Sequence, residues 1–97
     1  MKSGIYKITN LKNGKFYIGS SHDIYSRWDS HKAELKRGTH INSKLQNAWN
    51  FYGENTFVCE QIETVDSDKK LLLEREQFYL DLFRPYLPNI GYNICST

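Results

Sequence analysis

Little in this chain of 97 residues points to export, a membrane or a stapled scaffold. Cysteine occurs twice, at Cys59 and Cys95, with no Cys-x-x-Cys spacing, so there is no disulfide framework and the pair reads as two reduced thiols. Apolar runs are short. None approaches the roughly 18 residues of a membrane span, and the opening Met1-Lys2-Ser3-Gly4 lacks the apolar stretch of a signal peptide. The cytoplasm is therefore the expected home. Histidine occurs at 22, 31 and 40, and a spacing of nine turns neighbours to opposite sides of a helix. A zinc cluster built from local spacing is not expected. There are no repeats, no linker and no low-complexity segment.

What is present describes a packed globule. Aromatic residues make up 14% of the chain, hydrophobic residues 39%, and the net charge is only +2. A chain of this length buries roughly two-thirds of its unfolded surface, enough for one core and one domain over residues 1–97. The small net charge hides an asymmetry. Residues 1–50 hold nine Lys/Arg against three acids, a net +6, and residues 51–97 hold four against eight, a net −4. A basic half interleaved with Tyr, Trp and Asn suits a polyanion such as nucleic acid. A solvated surface with chance segregation would read the same way.

Two β-rich segments, Gly4 to Thr9 and Lys15 to Gly19, flank the turn pair Asn13-Gly14 and predict a β-hairpin. In that pairing Tyr6, Ile8, Tyr17 and Gly19 share one sheet face, and a one-residue slip would separate the two tyrosines. Ser20 or Ser21 can cap a helix from about Asp23 to Arg37 that stops at Gly38. Ile24, Trp28, His31 and Leu35 follow its inner stripe, and Arg27 neighbours His31 four positions on. A second helix is expected from Asn42 to Tyr52, with Leu45, Ala48, Trp49 and Tyr52 inward and Gly53 as its stop. Trp28, Trp49 and Phe51 read as core. Thr56 to Glu63 is a third strand candidate.

The last helix begins near Asp66-Ser67-Asp68, whose acids suit a helix N-terminus, and runs to about Phe83 before Pro85 and Pro88. On its wheel Leu72, Tyr79, Leu80 and Phe83 form the inner arc. Glu76 falls within that arc. An inward carboxylate costs several kcal/mol unless it is paired or holds a metal, and Arg75 at the arc's edge is one available partner. Asn89 to Ile94 is a turn followed by a short extended piece that can return to the core.

Tyr6, Tyr17, Arg27, His31 and Glu76, with His40 and Asn93 beside them, are candidates of the kind that phosphodiester hydrolysis needs, and taken alone they do not demonstrate a site. A carboxylate can hold a Mg²⁺ that keeps most of its waters. An arginine can bind the phosphate in a bidentate way, and a histidine or a phenolate near a cation can serve as base.

These residues also carry a likeness. Gly4-Ile5-Tyr6, ten residues, then Tyr17-Ile18-Gly19 resembles the signature of the GIY-YIG nuclease superfamily. Gly19-Ser20-Ser21-x-Asp23-x-x-x-Arg27-Trp28-x-x-His31, then Glu76-x-x-Tyr79 and Gly91-Tyr92-Asn93, continue the pattern across the whole chain. The likeness is in particular to the N-terminal catalytic domains of phage intron-encoded homing endonucleases. It implies an α+β fold, a small three-stranded antiparallel sheet flanked by helices. It also implies a divalent-metal-dependent endonuclease acting on double-stranded DNA, with one Mg²⁺ (or Mn²⁺) held by Glu76.

On that likeness Tyr6 is the general base, with the division of labour between it and His31 left open. Tyr17 orients the phosphate and metal waters, and Arg27 stabilises the scissile phosphate. His40 is a phosphate or site contact, and Asn93 closes the site through hydrogen bonds. In that family a C-terminal linker and DNA-binding domain supply most of the site selection. This chain, expected to be a monomer, carries no such part and should bind DNA weakly. The rival readings are a non-catalytic nucleic-acid-binding module of the same fold and a stand-alone repair or single-strand nuclease.

Overall fold

The computed structural model describes residues 2–95. Strands β1 (Gly4–Asn10) and β2 (Phe16–Ser21) form an antiparallel hairpin, followed by helices α1 (Ile24–Arg37) and α2 (Ser43–Tyr52). A short 3-10 turn leads into β3 (Phe57–Thr64), and α3 (Lys69–Phe83) ends the series. β3 pairs antiparallel with β1, so the sheet order is β2-β1-β3 and the first strand is central. The expected α+β class and three-stranded antiparallel sheet are both present.

The period-two alternation of β1 sets the layers. Tyr6 and Ile8 pack with Ile24 and Leu35 of α1 and with Leu45 and Trp49 of α2. Ile5 faces the other way and packs with Ile18 of β2 and with Leu72 and Leu80 of α3. Two helices thus cover one sheet face and α3 covers the other. The central strand is buried on both sides, and each fully buried isoleucine there stabilises the fold by roughly 1.5–3 kcal/mol.

The hairpin pairs Tyr6 with Gly19 and Ile8 with Tyr17, which places all four on one face as expected. Its turn differs from the expectation. Leu11 to Gly14 form a loop closed by Asn10 N–H to the Lys15 carbonyl (2.9 Å) and Gly14 N–H to the Asn10 carbonyl (2.8 Å). The Asn10 side chain holds this wider loop: its Oδ1 accepts from the Lys12 N–H, and its Nδ2 donates to the buried Tyr92 hydroxyl. Because the pairing moves by two positions, face parity survives.

The cap of α1 is Asp23, not Ser20 or Ser21; its carboxylate accepts from the Ser26 N–H, and both serines stay in β2. The helix ends at Gly38, whose φ of 75° is the left-handed conformation that lets its N–H reach back to the last turn. In α2, Leu45, Ala48 and Trp49 are inward, but Phe51 is 81% exposed and Tyr52 lies at the surface. The helix is only ten residues long, so Tyr52 projects past the core's edge and Phe51 falls on the outer face. Trp28 is half-buried beneath Lys32, whose ammonium lies 5.4 Å from the ring centre. β3 starts one residue later than expected, because Thr56 belongs to the 3-10 turn. Both cysteines are free.

The C-terminal tail returns to the sheet. The Tyr92 N–H donates to the Phe16 carbonyl (2.9 Å), and the Asn93 amide takes both backbone groups of Ile18, accepting its N–H (2.9 Å) and donating to its carbonyl (3.0 Å). These bonds cover the otherwise open edge of β2. No helix among the described residues is long and apolar enough to cross a membrane.

Candidate active site

Tyr6 lies at the centre of the sheet face beneath α1, nearly fully buried. Gly19 stands opposite it because a Cβ there would fall on the Tyr6 hydroxyl and ring carbon. The Tyr6 and Tyr17 rings are 6.4 Å apart. His31, fully buried on the third turn of α1, brings its Nε2 to 2.7 Å from the Tyr6 hydroxyl oxygen. Behind it, His31 Nδ1 is 2.6 Å from His40 Nε2, and His40 Nδ1 accepts the Asn42 backbone N–H at 3.0 Å. The sequence spacing of nine, which separates these histidines on a continuous helix, joins them here because α1 ends at Gly38 and the chain turns back.

Burial governs the protonation of this cluster. It pushes the Tyr6 phenol well above its ordinary range, with Tyr17 adding to the effect and Arg27 opposing it. Tyr17 is raised for the same first reason. His31 is held down to about 3, by burial first and then by the positive charge of Arg27, so it is neutral at neutral pH. His40 is also lowered by burial. Arg27, one helical turn before His31, is half-buried and makes only a loose pair with Glu34 at 3.6 Å.

Glu76 reaches the site from the opposite side of the sheet. It sits between Leu72 and Leu80 on the inner stripe of α3, as its wheel position predicts. Arg75 is not its partner. That guanidinium is held by Glu63 through two bonds of 2.6 Å, with the Tyr79 hydroxyl joining the same carboxylate. Glu76 instead accepts from the Ser20 hydroxyl at 2.5 Å. It lines an open cavity of about 240 Å³ together with Tyr17, Asn42 and Asn93. A larger groove of about 410 Å³ lies beyond Ser20, between His22 and Lys69.

The described residues contain no group of three or more His, Cys, Asp and Glu side chains able to share a metal. One half-buried carboxylate at the rim of an open cavity does fit Mg²⁺, which keeps several of its own waters and uses one or two carboxylates.

The model of the GIY-YIG catalytic domain matches residues 2–93. The chain belongs to this family. It is 42% identical over its full length to intron-associated endonuclease 1 of Enterobacteria phage T4, and spans 38% of that protein. Among solved structures it resembles the catalytic domain of intron endonuclease I-TevI in a mutant form, with a TM-score of 0.91 and 39% identity, covering 100% of this chain and 97% of that one. The catalytic domain of homing endonuclease I-TevI matches at a TM-score of 0.86 and 39% identity, covering 97% and 99%.

Within this GIY-YIG domain the site residues read from the sequence form two adjoining groups. Tyr6, Tyr17, His31 and His40 make one cluster, with Arg27 at its edge. Tyr17, Glu76 and Asn93 line the open cavity. Sequence reasoning missed Ser20, Asn42 and Gln46. Ser20, one of two candidate caps for α1, instead holds Glu76. Asn42 caps α2 through the Leu45 N–H and donates to the Tyr92 carbonyl, while Gln46 accepts the His40 N–H. The available signal was an Asn at a predicted helix start and a Gln beside an inward Leu. Either fits a surface equally well.

Proposed function

We propose that this domain is a divalent-metal-dependent endonuclease that hydrolyses phosphodiester bonds in double-stranded DNA, as the catalytic module of a homing endonuclease. The observation that carries the reading is the convergence of a buried tyrosine backed by neutral histidines, a loosely held arginine and a single carboxylate. Glu76 lines the open cavity with Tyr17, and the Tyr17 ring lies against those of Tyr6 and His31, with Arg27 one helical turn before His31.

Mg²⁺ or Mn²⁺ held by Glu76 would stabilise negative charge on the phosphate oxygens. Ser20 orients that carboxylate. Arg27 binds a non-bridging phosphate oxygen and stabilises the charge that grows on it in the transition state, its pair with Glu34 being long and half-exposed. Tyr6 is the base toward the attacking water; burial holds its phenol protonated in the resting site, and the nearby Arg27 charge, with a bound cation, would oppose that effect. Tyr17 hydrogen-bonds the attacking water or a phosphate oxygen at the cavity wall. Asn93 keeps β2 in place. His40 has both ring nitrogens bonded inside the protein, so it supports His31 and leaves the phosphate to Arg27. The basic first half of the chain supplies attraction to the DNA backbone. Because the chain spans 38% of its phage relative, a linker and a DNA-binding domain elsewhere in a longer protein would supply target choice.

Replacement of Glu76 by Ala tests the reading directly. Cleavage should be lost while the melting temperature stays within a few degrees of the parent. Metal-dependent cutting that persists in a folded Glu76→Ala protein would overturn the assigned role.

A further inference from the structure

The hydrogen bonds behind Tyr6 have a sense, and the sense is fixed at one end. A peptide N–H can only donate. The Asn42 N–H points at His40 Nδ1 at 3.0 Å, so that nitrogen carries a lone pair. Neutral His40 therefore bears its proton on Nε2 and directs it at His31 Nδ1, 2.6 Å away. The two ring planes are within 20° and their centres 4.9 Å apart. With the nitrogens at 2.6 Å, that separation is reached only when the rings meet edge to edge, which is the in-plane geometry of an N–H···N bond. His31 Nδ1 is then an acceptor, its proton lies on Nε2, and Nε2 faces the Tyr6 oxygen at 2.7 Å.

The anchor of this chain cannot readily turn. The Asn42 side chain caps α2 and donates to the Tyr92 carbonyl. The His40 N–H is held by Gln46, whose amide is fixed in turn by the Leu35 carbonyl and Asn50. His31 is fully buried and His40 nearly so, which leaves no solvent to exchange partners with.

Resting on the nuclease reading above for its catalytic consequence, we infer that His40 is a positioning residue that locks His31 in the Nε2–H tautomer, so that His31 donates to Tyr6 and the Tyr6 proton is aimed away from the histidines. In this arrangement His31 Nε2 has no lone pair with which to remove the Tyr6 proton. His31 instead stabilises the Tyr6 phenolate by a donated hydrogen bond, and the phenol's proton passes by way of the Tyr17 hydroxyl to solvent water in the cavity that Tyr17 lines. On this inference the base is Tyr6 and His31 is the donor to it.

The test reads the tautomers themselves by two-bond ¹H–¹⁵N correlation on the DNA-free, ¹⁵N-histidine-labelled protein, with exposed His22 as the internal reference. The expected result is Nε2–H on both His31 and His40. Nδ1–H on His31, or an exchange-averaged mixture, would overturn the inference on the wild-type protein alone.

Two variants then separate positioning from packing. His40→Gln offers an amide N–H where Nε2 stood, and His40→Met fills space without a donor. With the donor kept, His31 should stay Nε2–H and single-turnover cleavage should fall no more than about threefold. With the donor removed, the tautomer should become mixed and the rate should drop tenfold or more at nearly unchanged DNA affinity. Equal losses in the two variants, or an unchanged His31 tautomer in His40→Met, would overturn the role. The tautomer measurement needs no DNA, so a protein that shows the expected tautomers and cuts nothing even when fused to a DNA-binding domain of known specificity would refute the nuclease reading and leave the hydrogen-bond assignment standing.

Discussion

At the scale of single residues, the site depends on a few close approaches and on charges kept out of water. Gly19 is required because any side chain there meets the Tyr6 hydroxyl, which is itself bonded to His31. Gly19→Ala should lower stability by roughly 1–3 kcal/mol through overpacking, read as a shift in the denaturation midpoint. His31 supplies a pH dependence with a definite sign. Its folded pKa lies near 3, below an unfolded value of about 6.5. The unfolded chain therefore binds the extra proton first. The stabilisation is complete above about pH 6.5 and is lost as pH falls toward 3, with a slope on the order of 1 kcal/mol per pH unit. His31→Phe should flatten that part of the stability–pH curve; an unchanged slope would contradict the buried neutral state. Arg27→Ala should lower the single-turnover cleavage rate far more than DNA affinity, and a loss confined to affinity would make it a binding residue only.

At the scale of elements, the site is assembled where β2 meets the C-terminal tail. Asn93 fills both hydrogen-bonding groups of Ile18, so Asn93→Ala leaves a buried N–H and C=O without partners, at a cost of about 1–3 kcal/mol. Hydrogen exchange at the Ile18 amide should accelerate, and protection that persists would show that the tail is held some other way. The elements themselves were largely legible. The alternation of the hairpin places Tyr6 and Tyr17 on one face even though the loop spans Leu11 to Gly14 and not Asn13-Gly14 alone, because a two-position shift preserves parity. The wheel of α3 placed Glu76 inward because Leu72 and Leu80 bracket it at four-residue spacing. The junctions were not legible. The meeting of His31 with His40 depends on how the chain reverses after Gly38, and the hold of Ser20 on Glu76 depends on α3 packing against the far face of the sheet. Local periodicity carries no information about either. Phe51 is apolar yet exposed, because apolar type alone does not secure burial on the outer face of a short helix.

At the scale of the whole molecule, one central strand carries two cores and hands side chains to both. Tyr6 belongs to the core under α1, Ile5 to the core under α3, and the site lies where those layers come together around β2. The basic first half carries the positive charge that the proposed DNA binding would use, and Glu76 lies in the acidic second half. Binding by the domain alone should be weak and should fall steeply with added salt, as binding isotherms at two salt concentrations would show. Salt-insensitive binding would place the affinity in contacts other than phosphate.

The central claim, that this GIY-YIG domain cuts DNA with the help of a divalent cation, is tested most directly by nicking of supercoiled plasmid at high protein concentration and low salt, with Mg²⁺ and with EDTA. Fusion to a DNA-binding domain of known specificity, run in parallel, removes weak binding as a reason for failure. Nicking that appears with Mg²⁺ and disappears with EDTA is the expected result. Cutting that is indifferent to EDTA would contradict the metal dependence, and a folded, DNA-bound fusion that leaves the plasmid supercoiled would contradict the nuclease.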